Sequence, residues 1–340
     1  MKILILGAGQ VGSSAAYHLS REEANEVTVV DRRPEVLREL QDRLDIRTVV
    51  GHAAYPEVLE RAGAKDADIV VALTDMDETN MVACQVAYTQ FRTPTKIARI
   101  RSAEYMNATK LFTQDAIPID VRISPEQLVC SYVEQLILYP GASQVLDFAD
   151  GRVRLVGVKA DRDGLLVGQR IATLKEHIPN TESRIAAIYR QGKAMLPDGD
   201  TMIQEDDEVF FIADRKDIRV FMSEIRRLED PVRRVVIAGG GNIGVRLALA
   251  LEQTNQVKII ERDQRRARDI SEQLNKAIVL VGDAADEELL LEENVDNVDV
   301  FCAITNSEEA NILSSMLAKR LGAHKVMALI NRASYVDLVE

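Results

Sequence analysis

One stretch of this chain occurs twice. LILGAGQVGSSAA runs from Leu4 to Ala16, and VIAGGGNIGVRLA runs from Val236 to Ala248. In each, an apolar run ends in glycines spaced G-x-G-x-x-G: Gly7, Gly9 and Gly12, then Gly239, Gly241 and Gly244. The pattern dictates a buried strand, a tight turn and a helix start. The first glycine allows the turn, the second lets a diphosphate approach the backbone, and the third lets helix and strand pack closely. An acidic residue ends the following strand in both copies, Asp31 in EVTVVD and Glu261 in QVKIIE.

The repetition extends far beyond the glycines. Gly51 pairs with Gly282, and Thr74 in VALTDMDETNMVACQVA pairs with Thr305 in CAITNSEEANILSSMLA. The copies stay in register through one small gap, so a whole domain is duplicated. Within each copy, short apolar strands alternate with amphipathic helices. That alternation predicts a parallel sheet covered on both faces. KILILG, EVTVVD, IRTVVG, ADIVVALT and KIARIR are the first five strands, with IPIDVRI as a candidate sixth.

Between the copies the pattern changes. SPEQLVCSYVEQLIL is a helix with one apolar stripe, Leu128, Val129, Val133, Leu136 and Ile137. Such a stripe either packs within its own chain or docks on another subunit. From Val145 to about Ile225, short strands are joined by Asp-Gly, Gln-Gly-Lys and Pro-Asp-Gly-Asp turns, which are hairpin material. The expected fold class is α/β: duplicated Rossmann-like, doubly wound parallel sheets with a small α+β lobe between them. The expected domains are a first nucleotide-binding lobe at 1–123, a connecting helix at 124–140, the small lobe at 141–227 and a second nucleotide-binding lobe at 232–340.

Composition narrows the function. A formal net charge of −12 disfavours nucleic acid and anionic lipid as partners, and no polybasic cluster offsets it. No apolar run approaches the roughly 20 residues of a membrane-spanning helix. MKILILGAG has no small-residue cleavage site and reads as a first strand rather than a signal peptide. Cys84, Cys130 and Cys302 are odd in number and far apart, with no metal-type pair, which fits a reducing cytoplasm.

The residues point to a nucleotide. Unpaired N–H groups at each helix start attract phosphate. Asp31 accepts from both ribose hydroxyls, favouring NAD over NADP, although Arg32 and Arg33 blur that choice. Arg99 and Arg101 stand near the carboxyl end of the fifth strand and supply a cation for an outer phosphate. In the second copy the Arg99 place falls on Ala328 or Leu329, so that cation is missing. Thr74 and Asp75, then Thr305 and Asn306, are further strand-end candidates, while Asn80 and Asn311 serve equally well as backbone caps. His52 stands at the adenosine end. His18, His177 and His324 are scattered, and no histidine–carboxylate or histidine–cysteine constellation repeats. Hydride transfer needs a substrate pocket and usually a proton donor. Their absence weighs against the main alternative, an NAD-dependent oxidoreductase.

With the duplication in view, the chain resembles the RCK (regulator of potassium conductance) family. MKILILGAGQVG, VTVVDRR, VALTDMDETNMVACQVAY, KIARIRSAEY, DGDTMIQEDDEVFFIADR and the second GGGNIG carry the resemblance, which covers the whole chain. It implies a non-enzymatic ligand-sensing subunit with NAD(H) and ATP or ADP as ligands. It also implies self-association into a dimer or tetramer ring. That ring would sit in the cytoplasm, held at the inner face of the cell membrane by a Trk-type potassium transporter or channel subunit. The implied ligand residues are Gly7, Ala8, Gly9, Gln10, Val11, Gly12, Asp31, Arg32, His52, Thr74, Asp75 and Arg99 in the first copy. In the second they are Gly239, Gly241, Asn242, Ile243, Gly244, Glu261, Asp283 and Thr305. No metal site or catalytic residue is implied. A second small lobe is expected to follow the second copy. One departure stands out: the family pattern Gly-Asp after the third strand is kept as Gly282-Asp283 but replaced by Gly51-His52 in the first copy.

Overall fold

The computed structural model describes residues 1–148, 151–179 and 181–330. Chain contacts divide it into two compact units, one ending at Glu126 and one beginning at Gln127.

In the first unit, strands β1 (Lys2–Leu6), β2 (Glu26–Asp31), β3 (Arg47–Val50), β4 (Ile69–Ala72), β5 (Thr95–Arg99) and β6 (Val121–Ile123) alternate with helices. These are α1 (Gln10–Leu19), α2 (Pro34–Gln41), α3 (Pro56–Arg61), α4 (Asp77–Phe91) and α5 (Ala103–Asn107). The strands form one parallel sheet in the order β3-β2-β1-β4-β5-β6. Both faces are buried, which explains the nearly continuous apolar strands. Leu4 and Leu6 join one core with Val30, Val70 and Ala72, while Ile3 and Ile5 join the other with Val27, Val29 and Val71. Pro34 and Pro56 open α2 and α3, where a missing N–H costs nothing. The chain runs outward from β1 to β3, then returns to β4 on the other side of β1. That reversal opens a crevice at the carboxyl ends of β1 and β4, the position where such sheets hold ligands.

Helix α6 (Pro125–Leu138) carries the chain into the second unit. A small lobe follows, with β7 (Ala142–Phe148), β8 (Val153–Lys159), α7 (Leu174–His177), β9 (Ser183–Arg190), β10 (Lys193–Met195), β11 (Glu208–Asp214) and α8 (Ile218–Ile225). Its sheet is antiparallel, in the order β10-β9-β11-β8-β7. Phe211 stacks on Phe221 at 3.9 Å between ring centroids, fixing α8 to the sheet. Asp150, in the first of the expected hairpin turns, lies outside the described residues.

The parallel pattern then restarts with β12 (Arg234–Ala238), α9 (Asn242–Leu251), β13 (Gln256–Glu261), α10 (Gln264–Gln273), β14 (Ile278–Val281), α11 (Glu287–Glu292), β15 (Val300–Ala303), α12 (Glu308–Arg320) and β16 (Lys325–Ala328). Its sheet order, β14-β13-β12-β15-β16, repeats the first through five strands.

The apolar stripe of α6 finds its partner inside the chain. Cys130, Val133 and Ile137 pack with Val235, Ile237 and Val257 of the second sheet and with Leu247 and Leu251 of α9. Leu136 packs against the small-lobe core. Leu128 stands apart at 65% exposed. Of the two roles open to this stripe, packing within its own chain is the one its buried members adopt.

Candidate functional site

The first site is built on the turn from β1 to α1. Gly7 takes φ +103°, and a Cβ there would press on Leu73 O at 2.9 Å. At Gly12 a Cβ would lie 1.9 Å from Gly7 O, so helix and turn touch only because it is glycine. Gly9 differs: a Cβ there would meet nothing within 4 Å. The protein leaves space above Gly9, and no side chain caps the N–H groups that open α1. An exposed, uncapped helix start with room above it fits a phosphate.

Asp31 closes the cradle at the end of β2. Its Oδ2 accepts the Ala8 N–H at 2.7 Å, and its Oδ1 accepts the Arg33 N–H at 2.9 Å and Arg33 Nε at 3.2 Å. Burial opposes ionisation of this carboxyl, but those hydrogen bonds outweigh it and hold Asp31 below the usual carboxylate range. A charged acceptor therefore lines the cavity beside the cradle. At the end of β4, the Thr74 N–H and hydroxyl both donate to Asn80 Oδ1, at 2.9 and 2.7 Å. Asn80 Nδ2 donates to Thr74 O and to Arg99 O. Fully buried Asn80 thus clamps the ends of β4 and β5 and is a scaffold residue.

Arg99 lines the same cavity, about 460 Å³ in volume, with Gly7, Gly9, Gln10, Val11, Asp31, Arg32, His52, Thr74 and Asp75. Ala8 and Gly12 do not line it; they act through the Asp31 contact and through packing. Arg99 is already engaged. Its Nη2 lies 2.5 Å from Glu126 Oε1 in the first turn of α6, and Arg101 Nε reaches the same oxygen at 3.1 Å. Arg99 Nε and Glu126 Oε2 are buried without a hydrogen-bond partner. Burial opposes ionising Glu126, but its own backbone N–H and the two guanidinium groups hold its carboxyl below the ordinary value.

The second site repeats the construction. Gly239 takes φ +114°, a Cβ at Gly244 would lie 2.0 Å from Gly239 O, and Gly241 faces open space. Glu261 Oε2 accepts the Gly240 N–H at 2.9 Å, and its Oε1 accepts the Asp263 N–H at 2.8 Å. Thr305 and Asn311 reproduce the Thr74–Asn80 clamp. Gly239, Gly241, Glu261, Asp283, Thr305 and Asn306 line a cavity that is also about 460 Å³. Asn242 and Ile243 open α9 beside it without lining it. The ambiguity at the fifth strand resolves. Asn311 Nδ2 donates to Leu329 O at 2.9 Å, as Asn80 Nδ2 does to Arg99 O, so Leu329 holds the Arg99 place.

The second site is nonetheless not without cations. Arg266, near the start of α10, lines the cavity and donates from Nε to Gly240 O at 3.0 Å. Sequence reasoning missed it. The signal available was the basic cluster in ERDQRRARD, which the first copy lacks at the matching position, Val36.

The remaining reactive groups are scattered. Burial pushes the thiols of Cys84 and Cys302 up to about 12 and that of Cys130 up to about 11, so they remain protonated at neutral pH. His177 Nδ1 contacts Glu224 Oε2 at 2.8 Å in the small lobe, remote in sequence from both cradles. Among the described residues, no three His, Cys, Asp or Glu side chains form a group able to hold a metal. No described helix is long and apolar enough to cross a membrane.

Comparison with known proteins follows this division. The TrkA-N domain family matches residues 3–125 and again 235–340, and the TrkA-C domain family matches residues 155–226. The Trk system potassium uptake protein TrkA of Halomonas elongata is 58% identical over 340 residues, covering 100% of this chain and 74% of its own length. The protein of the same name from Vibrio alginolyticus is 57% identical over 341 residues, with the same coverage. Among solved structures, the GsuK RCK domain superposes with a TM-score of 0.70 at 16% identity, covering 99% of this chain and 75% of the other. The GsuK channel bound to NAD gives 0.69 at 16% identity, covering 99% and 62%.

Proposed function

This chain belongs to the TrkA family of Trk system potassium uptake proteins, and from that membership we propose that it is a nucleotide-sensing regulatory subunit. In this reading it binds NAD(H) or ATP/ADP and gates a membrane potassium transporter or channel from the cytoplasmic side, as a dimer or tetramer ring. The observation that carries the proposal is the doubled cradle. Two uncapped helix starts with open space above Gly9 and Gly241 each face an acidic residue aligned by the cradle's own N–H groups. The NAD named for one structural relative agrees in ligand class.

The residues divide the work by chemistry. The N–H groups of Gln10 and Val11, which line the first cavity, meet phosphate, as does the backbone at Gly241 that opens α9 in the second. Asp31 and Glu261 accept ribose hydroxyls. Arg99 offers the first site a cation for an outer phosphate, in competition with Glu126. Because Glu126 begins α6, a ligand that engages Arg99 changes the first turn of the helix that runs into the second unit. Occupancy then shifts a conformational equilibrium only by the difference in affinity between its two states.

Calorimetric titration of the full chain with NADH, NAD, ATP and ADP tests this. The expected result is saturable binding, with NADH recovered unchanged. Absence of binding by all four overturns the proposal. Steady NADH oxidation with simple carbonyl substrates, lost in Asp31→Ala, transfers the protein to the oxidoreductases.

A further inference from the structure

We propose that the groove at the amino ends of β12, β13 and β14 is a second kind of ligand site, one that takes a monocarboxylate with an apolar body.

The three strands begin at Arg234, Gln256 and Ile278, and the second cradle stands at their opposite ends. The groove between the turn after α9 and the turn after α11 has a volume of about 590 Å³, larger than either cradle. That falls within the roughly 300–1,000 Å³ of small-molecule sites. The matching groove of the first copy is only about 360 Å³. One exchange accounts for much of the difference. Register pairs Arg47 with Thr28 in the first sheet and Ile278 with Lys258 in the second, so Ile278 holds the Arg47 place. Arg47 reaches across its groove, donating from Nη2 to Arg61 O at 2.6 Å. Ile278 has no such reach and stands exposed as an apolar wall, with Val257 and Val298 also lining the space.

The charges change sign with the shape. Lys2 and Arg47 face Glu26, Asp45 and Asp66 in the first groove, an excess of one negative charge. Arg234, Lys258 and Lys276 face Glu252 and Glu293 in the second, an excess of one positive charge in a chain whose formal net charge is −12. Both of these carboxylates are already engaged. Glu252 accepts the N–H groups of Asn275, Lys276 and Ala277 and the Asn275 side-chain amide. Glu293 Oε2 accepts from Lys258 Nζ at 2.7 Å. Arg234 donates from Nη1 to Asn297 O at 3.3 Å, and among the described residues no carboxylate pairs with the side chain of Arg234 or Lys276. Lys276 holds the place of Asp45, two residues before Arg47 as Lys276 is two before Ile278. An apolar trough with two cations unclaimed by carboxylates matches an anion whose remainder is hydrocarbon. The head group gains charge-assisted hydrogen bonds, and the body leaves water against Val257, Ile278 and Val298.

Calorimetric titration of the full chain with octanoate, octanol and acetate tests this. Octanoate should bind saturably, with acetate and octanol each weaker by roughly tenfold or more, since each lacks one half of the interaction. Lys276→Gln should lower the octanoate-to-octanol affinity ratio. Ile278→Arg, which installs the residue that spans the first groove, should weaken octanoate and octanol alike. Both positions are exposed, so both variants should fold, which thermal unfolding checks. Saturating ADP should leave octanoate binding unchanged, because the cradles lie at the other ends of the strands. Absence of saturable octanoate binding overturns the proposal. So does octanoate binding that Ile278→Arg leaves unchanged or tightens, or an octanoate-to-octanol ratio that Lys276→Gln does not move. Displacement of octanoate by ADP would place it in a cradle and overturn the assignment to the groove.

Discussion

Glu126 Oε1 sits 2.5 Å from Arg99 Nη2, so the guanidinium proposed to meet an outer phosphate is held by a carboxylate of this same chain. The side chains are 15% and 10% exposed, and each keeps one buried polar atom unpartnered. The pair is thus tight but incompletely satisfied, an arrangement that a multiply charged ligand can exploit.

Removing the carboxylate should favour the ligand. Glu126→Gln frees Arg99, so the first site's preference for ATP over AMP should rise on the order of tenfold. Arg99→Ala should lower that preference while AMP still binds, because the cradle remains. Glu126→Gln should also destabilise the free chain, by less than the roughly 3–5 kcal/mol of a fully buried broken pair, and ATP should restore more of that loss than AMP. Calorimetry with both ligands and thermal unfolding measure these effects. An unchanged ATP-to-AMP ratio in both variants would show that the pair plays no part in ligand choice.

Asp31→Ala removes the proposed ribose acceptor and also releases the Ala8 N–H that it aligns. Affinity at the first site should fall by about 1.5–3 kcal/mol, the range for a hydrogen bond to a charged group. Binding at the second site, read in a Gly9→Asp chain whose added carboxylate projects into the open first cradle against phosphate, should not change with Asp31→Ala. Equal losses at both sites would mean that the substitution acts through general unfolding.

Much of this architecture was legible in the sequence because it rests on local spacing. The alternation of Ile3 and Ile5 with Leu4 and Leu6 announces a sheet buried on both faces, and the glycines with Asp31 and Glu261 announce the cradles. What stayed hidden depends on long-range pairing. Nothing near Arg99 in the chain shows that Glu126 occupies it, since the contact forms only when β5 and the start of α6 come together. Choosing between Ala328 and Leu329 required the strand register that Asn311 fixes. Arg266 lies in a run of charges, and its place in the second cavity follows only from the packing of α10 over Gly240. The stripe of α6 predicted burial but not its partner, because helical periodicity carries no address.

Acid should weaken the second unit through Glu252. This carboxylate accepts N–H groups of Lys276, Asn275 and Ala277 and the Asn275 side-chain amide. The Lys276 N–H is the largest influence; burial opposes it, and together the hydrogen bonds depress the pKa from 4.5 to about 2. A depressed carboxylate stabilises the fold fully above its unfolded value and loses that contribution as pH falls through its folded value. The window therefore runs from near 4.5 down to about 2. Urea unfolding of the parent chain and of Glu252→Gln should differ at neutral pH, and the difference should shrink across that window. A pH-independent difference would assign Glu252 a packing role only.

The docking of α6 gives the last test. Ile137 is 3% exposed and packs in the core that joins α6 to the second sheet, whereas Leu128, on the same helix, is 65% exposed. Truncating a buried isoleucine to alanine typically costs about 2–5 kcal/mol through lost transfer energy and the cavity left behind. An exposed leucine away from such packing usually changes stability by within about 0.5 kcal/mol. Ile137→Ala should therefore lower the unfolding midpoint markedly, and Leu128→Ala should barely move it. Sedimentation separates this from assembly. If the stripe works inside the chain, folded Ile137→Ala protein keeps the parent mass while its stability falls. If it serves a contact between subunits, mass falls and the stability loss depends on protein concentration. Equal effects of Ile137→Ala and Leu128→Ala on unfolding would overturn the intrachain packing of α6.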